Sequence, residues 1–275
     1  MWPVAGKRSK PSQHQVVAFA ASTSGRGFDA PLSDRVNPTK EARTAKEYFK
    51  MLGDTVGKML KGVPVYLVGD DGDGNAAVAE EVAPVLGYVP FQSAKLIQQT
   101  TGKGLASIAA EEGLEGVAEA EASIVRELST FVRCAVGTIG GGQGAAADPA
   151  RWNHLHGGVS VWLDCSSSGS KRDDSLKGPQ HLGYTKCDIV VRFSLPEGAT
   201  WQPTVTRAVS EGVLEGIKKL LTENENYAGK KSLYIRSGCR GDWPDLAEPG
   251  AEVTPQSVSQ NSGPVKEVLL GQQNA

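Results

Sequence analysis

An unbroken apolar stretch, residues 63–68, runs into Gly69, and a helical pattern begins a few residues later. A strand that is apolar at nearly every position has both faces covered. It belongs inside a sheet flanked by helices, where strands are parallel. The turn reads Gly69, Asp70, Asp71, Gly72, Asp73, Gly74, followed by Asn75 and Ala76. A strand, a glycine-rich turn and a helix in this order present backbone N–H groups at a helix N-terminus, an arrangement that cradles nucleotide phosphates. The working pattern is glycine, four residues, glycine, lysine, then serine or threonine. Gly69 and Gly74 stand at the two glycine positions, with Gly72 between them. Asn75 stands where the lysine belongs, and Ala76 where the hydroxyl belongs.

Each replacement removes a defined group. The lysine reaches the outer phosphates and the hydroxyl holds Mg²⁺, and phosphoryl transfer draws its rate from such positioning and charge neutralisation. Asp70, Asp71 and Asp73 add negative charge to the same turn. A carboxylate about 5 Å from a phosphate oxygen costs about 3 kcal/mol at an effective dielectric near 20, and each ~1.4 kcal/mol is tenfold in rate. A solvated acidic turn that binds nothing is the plainer reading of the same residues, and the rest of the chain decides between the two.

The pattern predicts an amphipathic helix over 44–61, strands over 63–68, 88–91, 132–138, 159–163 and 188–193, and helices over 75–86, 94–101, 105–111, 115–131 and 203–221. Strands alternating with helices give α/β architecture with a mostly parallel sheet. The 275 residues suffice for one such domain plus tails. A formal net charge of −2 offers no field for nucleic acid, and no apolar run is long enough to span a membrane. Cys134, Cys165, Cys187 and Cys239 are too widely spaced for a metal knuckle or dithiol motif and read as buried free thiols. The first acid is Asp29, while Lys7, Arg8, Lys10 and Arg26 precede it among Ser, Ala and Gly. That composition is expected of an organelle transit peptide, or of a disordered start, over 1–43. The domain then covers 44–225, and an extension covers 226–275, disordered after 247.

The order of these features resembles the shikimate kinase family over residues 63–221. The matching landmarks are the strand and glycine turn; Leu86, Gly87 and Tyr88; Ile97, Thr101 and Gly102; Glu111, Glu112 and Gly113; Glu127 and Leu128; the triad Gly140, Gly141 and Gly142; and Val161, Trp162, Leu163 and Asp164. The resemblance implies the P-loop kinase fold, three layers with a parallel sheet flanked by helices. It also implies which residues should bind. Where the family carries two aspartates for metal and for shikimate hydroxyls, this chain has Gln92 and Ala94; a following acid is replaced by Gln98. Where the family's arginine grips the shikimate carboxylate, this chain has Ala118, after Gly116 and Val117. No small neutral residue replaces a bidentate guanidinium contact. The family's mobile lid falls on 165–183, a serine-rich stretch in which Asp173 and Asp174 offset two of Lys171, Arg172 and Lys177. Such losses on a retained scaffold resemble the inactive shikimate-kinase-like group of plant plastids, its second type, which the segment 231–244 also fits. The chain is therefore expected to lack catalytic residues, cofactor and metal, to sit in the chloroplast stroma, and to act by binding an unknown protein partner, as a regulatory or interaction protein.

Arg236, Arg240 and Trp243 in the extension are candidates for partner contact, because exposed Trp and Arg anchor interfaces; the plainer reading has Trp243 folding back to staple the tail. His154 and His156 read as surface histidines rather than a metal pair, and Glu121 and Arg126 as solvated charges on the 115–131 helix. The alternative function is an active phosphotransferase with another acceptor, which needs a cation from elsewhere, such as Lys95 or Lys103. A third reading keeps a small-molecule sensing pocket at the C-terminal edge of the sheet.

Overall fold

The computed structural model describes residues 15–18, 38–167, 182–195 and 201–238. Its strands are β1 (Gln15–Ala18), β2 (Val65–Gly69), β3 (Val89–Gln92), β4 (Cys134–Gly137), β5 (Val159–Ser167) and β6 (Ile189–Leu195). Its helices are α1 (Pro38–Leu60), α2 (Gly72–Leu86), α3 (Ser93–Thr101), α4 (Leu105–Leu128), α5 (Pro203–Glu223) and α6 (Tyr227–Arg236). The strands form one sheet in the order β1-β6-β5-β2-β4-β3, and every pairing is parallel. The apolar stretch does what its composition requires. All five residues of β2 are buried, between β4 and β5. Val65 and Leu67 face a core built with α1, α2 and α5, whereas Tyr66 and Val68 face a second core with α3, α4 and Trp152. Two cores on opposite faces of one parallel sheet make a three-layer architecture of helices, sheet and helices, the layering expected from the sequence.

α2 begins at Gly72, three residues before the predicted start at 75, because Asp71 caps it from within the glycine turn. It ends at Gly87, whose φ of 70° provides the left-handed cap. The helices predicted over 105–111 and 115–131 run together as α4, with a break at Gly113 where φ is 75° and ψ is −176°.

Within the stretch expected to be a leader, Gln15–Ala18 pairs with β6 and α1 starts at Pro38; the remainder of 1–37 lies outside the described residues. So do the lid stretch 168–181 and the extension from Cys239, with Arg240 and Trp243. The start of the extension is part of the domain. In α6, Ala228, Lys231 and Tyr234 are buried. The Lys231 ammonium donates to the His156 carbonyl (2.9 Å) and pairs with the Asp188 carboxylate (3.2 Å). The Tyr234 hydroxyl donates to the Asn153 carbonyl (2.7 Å). These contacts attach α6 where β5 and β6 begin, the end of a parallel sheet opposite the glycine turn.

Candidate functional site

The glycine turn joins β2 to α2, and its local chemistry dictates its shape. The Asp71 carboxylate accepts from the amides of Asp73 (3.0 Å) and Gly74 (3.1 Å) through Oδ1, satisfying N–H groups that a helix start leaves without a partner. Its Oδ2 accepts the indole N–H of Trp201 (2.6 Å), which stands just before α5. Gly74 is required by this contact. A Cβ there would lie 2.1 Å from the Trp201 ring.

Asn75 is 1 % exposed. Its Nδ2 donates to the carbonyls of Gly69 (3.2 Å) and Thr138 (3.1 Å), which ties the end of β2 to the residue after β4. The Tyr184 hydroxyl donates to the same Gly69 carbonyl (3.2 Å), and burial pushes that phenol's pKa up. The Asn75 side chain is thus directed into the scaffold rather than toward the mouth of the turn. Ala76 packs flush against Gly137 of β4, where a Cβ on the glycine would be 2.8 Å from Ala76 Cα.

The glycine triad follows β4 and lies against the turn. A Cβ on Gly140 would be 2.4 Å from the Asp70 carbonyl and from the Gly72 nitrogen, so no other residue fits there. Gly141 and Gly142 continue with φ of 71° and 66°. Glu121 of α4 holds this loop at both ends. Its carboxylate accepts from the Ile139 amide (2.6 Å), the Ala145 amide (2.7 Å) and the Ser93 hydroxyl (2.5 Å). It is fully buried, and desolvation raises its pKa against the lowering effect of those three bonds. This corrects the reading of Glu121 as a solvated charge. The signal was present in its spacing, since Glu121 lies on the apolar stripe of Val117, Ile124, Val125 and Leu128. Arg126 is exposed, as expected.

The other predicted positions sit around this core. The Gln92 side chain donates to Glu80, which also pairs with Lys95 (3.7 Å). Lys103 pairs with Glu111. Ala94 packs on the second core. Ala118 and Gly142 line a cavity of about 220 Å³ together with Gly144 and Arg151. Arg151 was not singled out from the sequence; Glu115, Glu119 and Asp148 surround its guanidinium. His156 is buried against Trp152, with ring centroids 5.5 Å apart, which corrects its reading as a surface residue. His154 is partly buried, and its pKa is lowered first by desolvation and then by Arg126. Among the described residues, no three His, Cys, Asp or Glu side chains gather as a metal site, and no helix is long and apolar enough to cross a membrane. Cys134 and Cys187 are buried, but Cys165 is exposed, because it lies near the end of β5 and its reading as a buried thiol fails there.

Residues 71–171 match the family model described as shikimate kinase. Over these residues the chain is similar to the shikimate kinase family. It is 37 % identical to the protein named probable inactive shikimate kinase like 2, chloroplastic, of Arabidopsis thaliana, over 70 % of this chain and 50 % of that one. It is 41 % identical to shikimate kinase 2, chloroplastic, of Oryza sativa subsp. japonica, over 38 % of this chain and 34 % of that one. The chain thus spans half or less of the length of these two relatives. Among solved structures it is similar to a shikimate kinase from Acinetobacter baumannii in complex with shikimate, with a TM-score of 0.44 and 20 % identity over 59 % of this chain and 94 % of that one.

The structure brings together Gly69, Gly72, Gly74, Asn75 and the triad Gly140, Gly141 and Gly142 around one turn. Ala118 joins them only through Gly142 and the small cavity. Gln92 stands at the end of β3 and reaches Glu80, whereas Ala94, at the start of α3, packs on the second core. Arg236 is exposed on the last turn of α6, and its guanidinium reaches Ser232. Reading the sequence alone missed Asp71 as a helix cap and Trp201 as its partner.

Proposed function

We propose that this protein is a catalytically inactive, plastid member of the shikimate kinase family that works through contact with a protein partner. The observation that carries the reading is the Asn75 side chain, buried and donating both amide hydrogens to the carbonyls of Gly69 and Thr138. The residue at the lysine position is consumed in holding the scaffold and supplies no charge to a phosphate, while Ala76 offers Mg²⁺ no oxygen. Lys95 and Lys103, the cations on which an alternative phosphotransferase would depend, each face a glutamate. The names of the chloroplastic relatives support the plastid assignment.

Isothermal titration of the full chain with ATP·Mg²⁺ and with shikimate tests the reading. No heat of binding and no shikimate-dependent ADP release are expected; micromolar binding of both ligands would overturn it. The partner arm uses affinity capture with the full chain and with a chain ending at Gly238. That end point keeps α6 and its Lys231 anchor while removing Arg240 and Trp243. A protein captured by the full chain and lost from the shorter one is the expected result.

A further inference from the structure

Resting on that reading of an inactive domain, we infer that the phosphate turn is locked shut by an internal anion, the Asp71 carboxylate, held in place by Trp201. The two amides that Asp71 Oδ1 occupies, those of Asp73 and Gly74, lie at the start of a 15-residue helix. They are the groups a phosphate oxygen would take. The carboxylate supplies the same charge sign and acceptor geometry from within the chain, so the turn keeps its folded shape with no bound ligand.

The second half of the lock is the indole. Its N–H donates to Asp71 Oδ2 at 2.6 Å, so both carboxylate oxygens are engaged and the side chain is fixed in orientation. The ring also lies on the Gly74 flank, where even a methyl group would sit 2.1 Å from Cζ2 and 2.3 Å from Cε2. Phe193 packs edge-on against the indole, with centroids 5.5 Å apart, so the ring is backed by β6. An entering anion therefore has to displace a carboxylate that the indole N–H holds on those amides. This contact is separate from the loss of lysine and hydroxyl, because it acts on the backbone amides that would otherwise remain able to hold phosphate.

The probe is pyrophosphate, titrated calorimetrically into the full chain and into Asp71→Ser/Trp201→Ala. Serine keeps a helix cap without the charge. The double variant is expected to bind pyrophosphate at least about tenfold more tightly than the wild type, because the serine acceptor carries no charge to repel the anion and no indole holds it in place. Equal affinity in two folded proteins overturns the lock and leaves the inactive reading standing, whereas ATP·Mg²⁺ bound by the wild type overturns the inactive reading itself. Should the double variant fail to fold, Asp71→Asn decides. It preserves the cap but turns an amide N–H toward the indole N–H, and the Trp201 indole resonance in a ¹⁵N-correlated spectrum is expected to move. An unmoved resonance overturns the lock.

Discussion

Replacing Lys231 with Met tests how the domain holds its C-terminal helix. The ammonium is 4 % exposed, 2.9 Å from the His156 carbonyl and 3.2 Å from Asp188. Methionine fills the stem's volume but removes the charge. Asp188 is then left buried with the Ser160 amide (2.8 Å), the Ser160 hydroxyl (3.0 Å) and the Tyr227 hydroxyl as its donors. Removing one partner of a buried ion pair costs about 3–5 kcal/mol. The three remaining donors partly solvate the carboxylate, so the low end, about 3 kcal/mol, applies. For a domain of this size each kcal/mol moves the midpoint by about 2–4 °C, giving a drop of about 6–12 °C. Thermal unfolding of the full chain, followed by circular dichroism, reads it. Adding Asp188→Asn removes the stranded charge and should recover part of the loss, since contacting residues couple by about 0.5–3 kcal/mol. A drop below about 1 kcal/mol for Lys231→Met, or no recovery on adding Asp188→Asn, would refute the reasoning.

Three further outcomes follow from the site. Glu121→Gln should destabilise the domain by about 1–3 kcal/mol, because the new amide turns N–H groups toward the donors of Ile139, Ala145 and Ser93. Its pH dependence has a defined sign. The folded-state pKa is raised above 4.5, so the stability this carboxyl contributes is fully present below pH 4.5 and falls as pH rises through the folded value. The gap between wild type and Glu121→Gln in urea unfolding should therefore narrow from pH 4.5 toward neutrality; a gap that widens contradicts it. Asn75→Lys/Ala76→Ser restores the consensus groups but breaks the bonds to Gly69 and Thr138, so it should lose about 1–3 kcal/mol and still release no ADP with shikimate. Restored turnover would show that the acidic, self-capped turn is no obstacle. Thiol labelling of the native protein, mapped by mass spectrometry, should modify Cys165 before Cys134 and Cys187. Cys165 is exposed, while the other two are buried, with desolvation pushing the Cys134 pKa up to about 12. Equal rates would contradict the buried placement.

The sequence by itself determined the architecture and the absences. A stretch apolar on both faces, followed by a glycine turn and a helix, admits little besides a parallel sheet between helix layers, because side-chain period and backbone hydrogen bonding act locally. The missing lysine and hydroxyl at Asn75 and Ala76 are identities, readable without coordinates. What those residues do instead was decided only in three dimensions. The Asn75 amide serves Thr138, 63 positions along, and Asp71 is held by Trp201, 130 positions along. Glu121 is buried because the triad loop needs an acceptor for the Ile139 and Ala145 amides, and Lys231 is buried because Asp188 waits where β6 begins. Local pattern shows which side chains face inward, but which polar groups meet there depends on topology, since a buried donor or acceptor takes whatever partner the packed chain brings within about 3 Å.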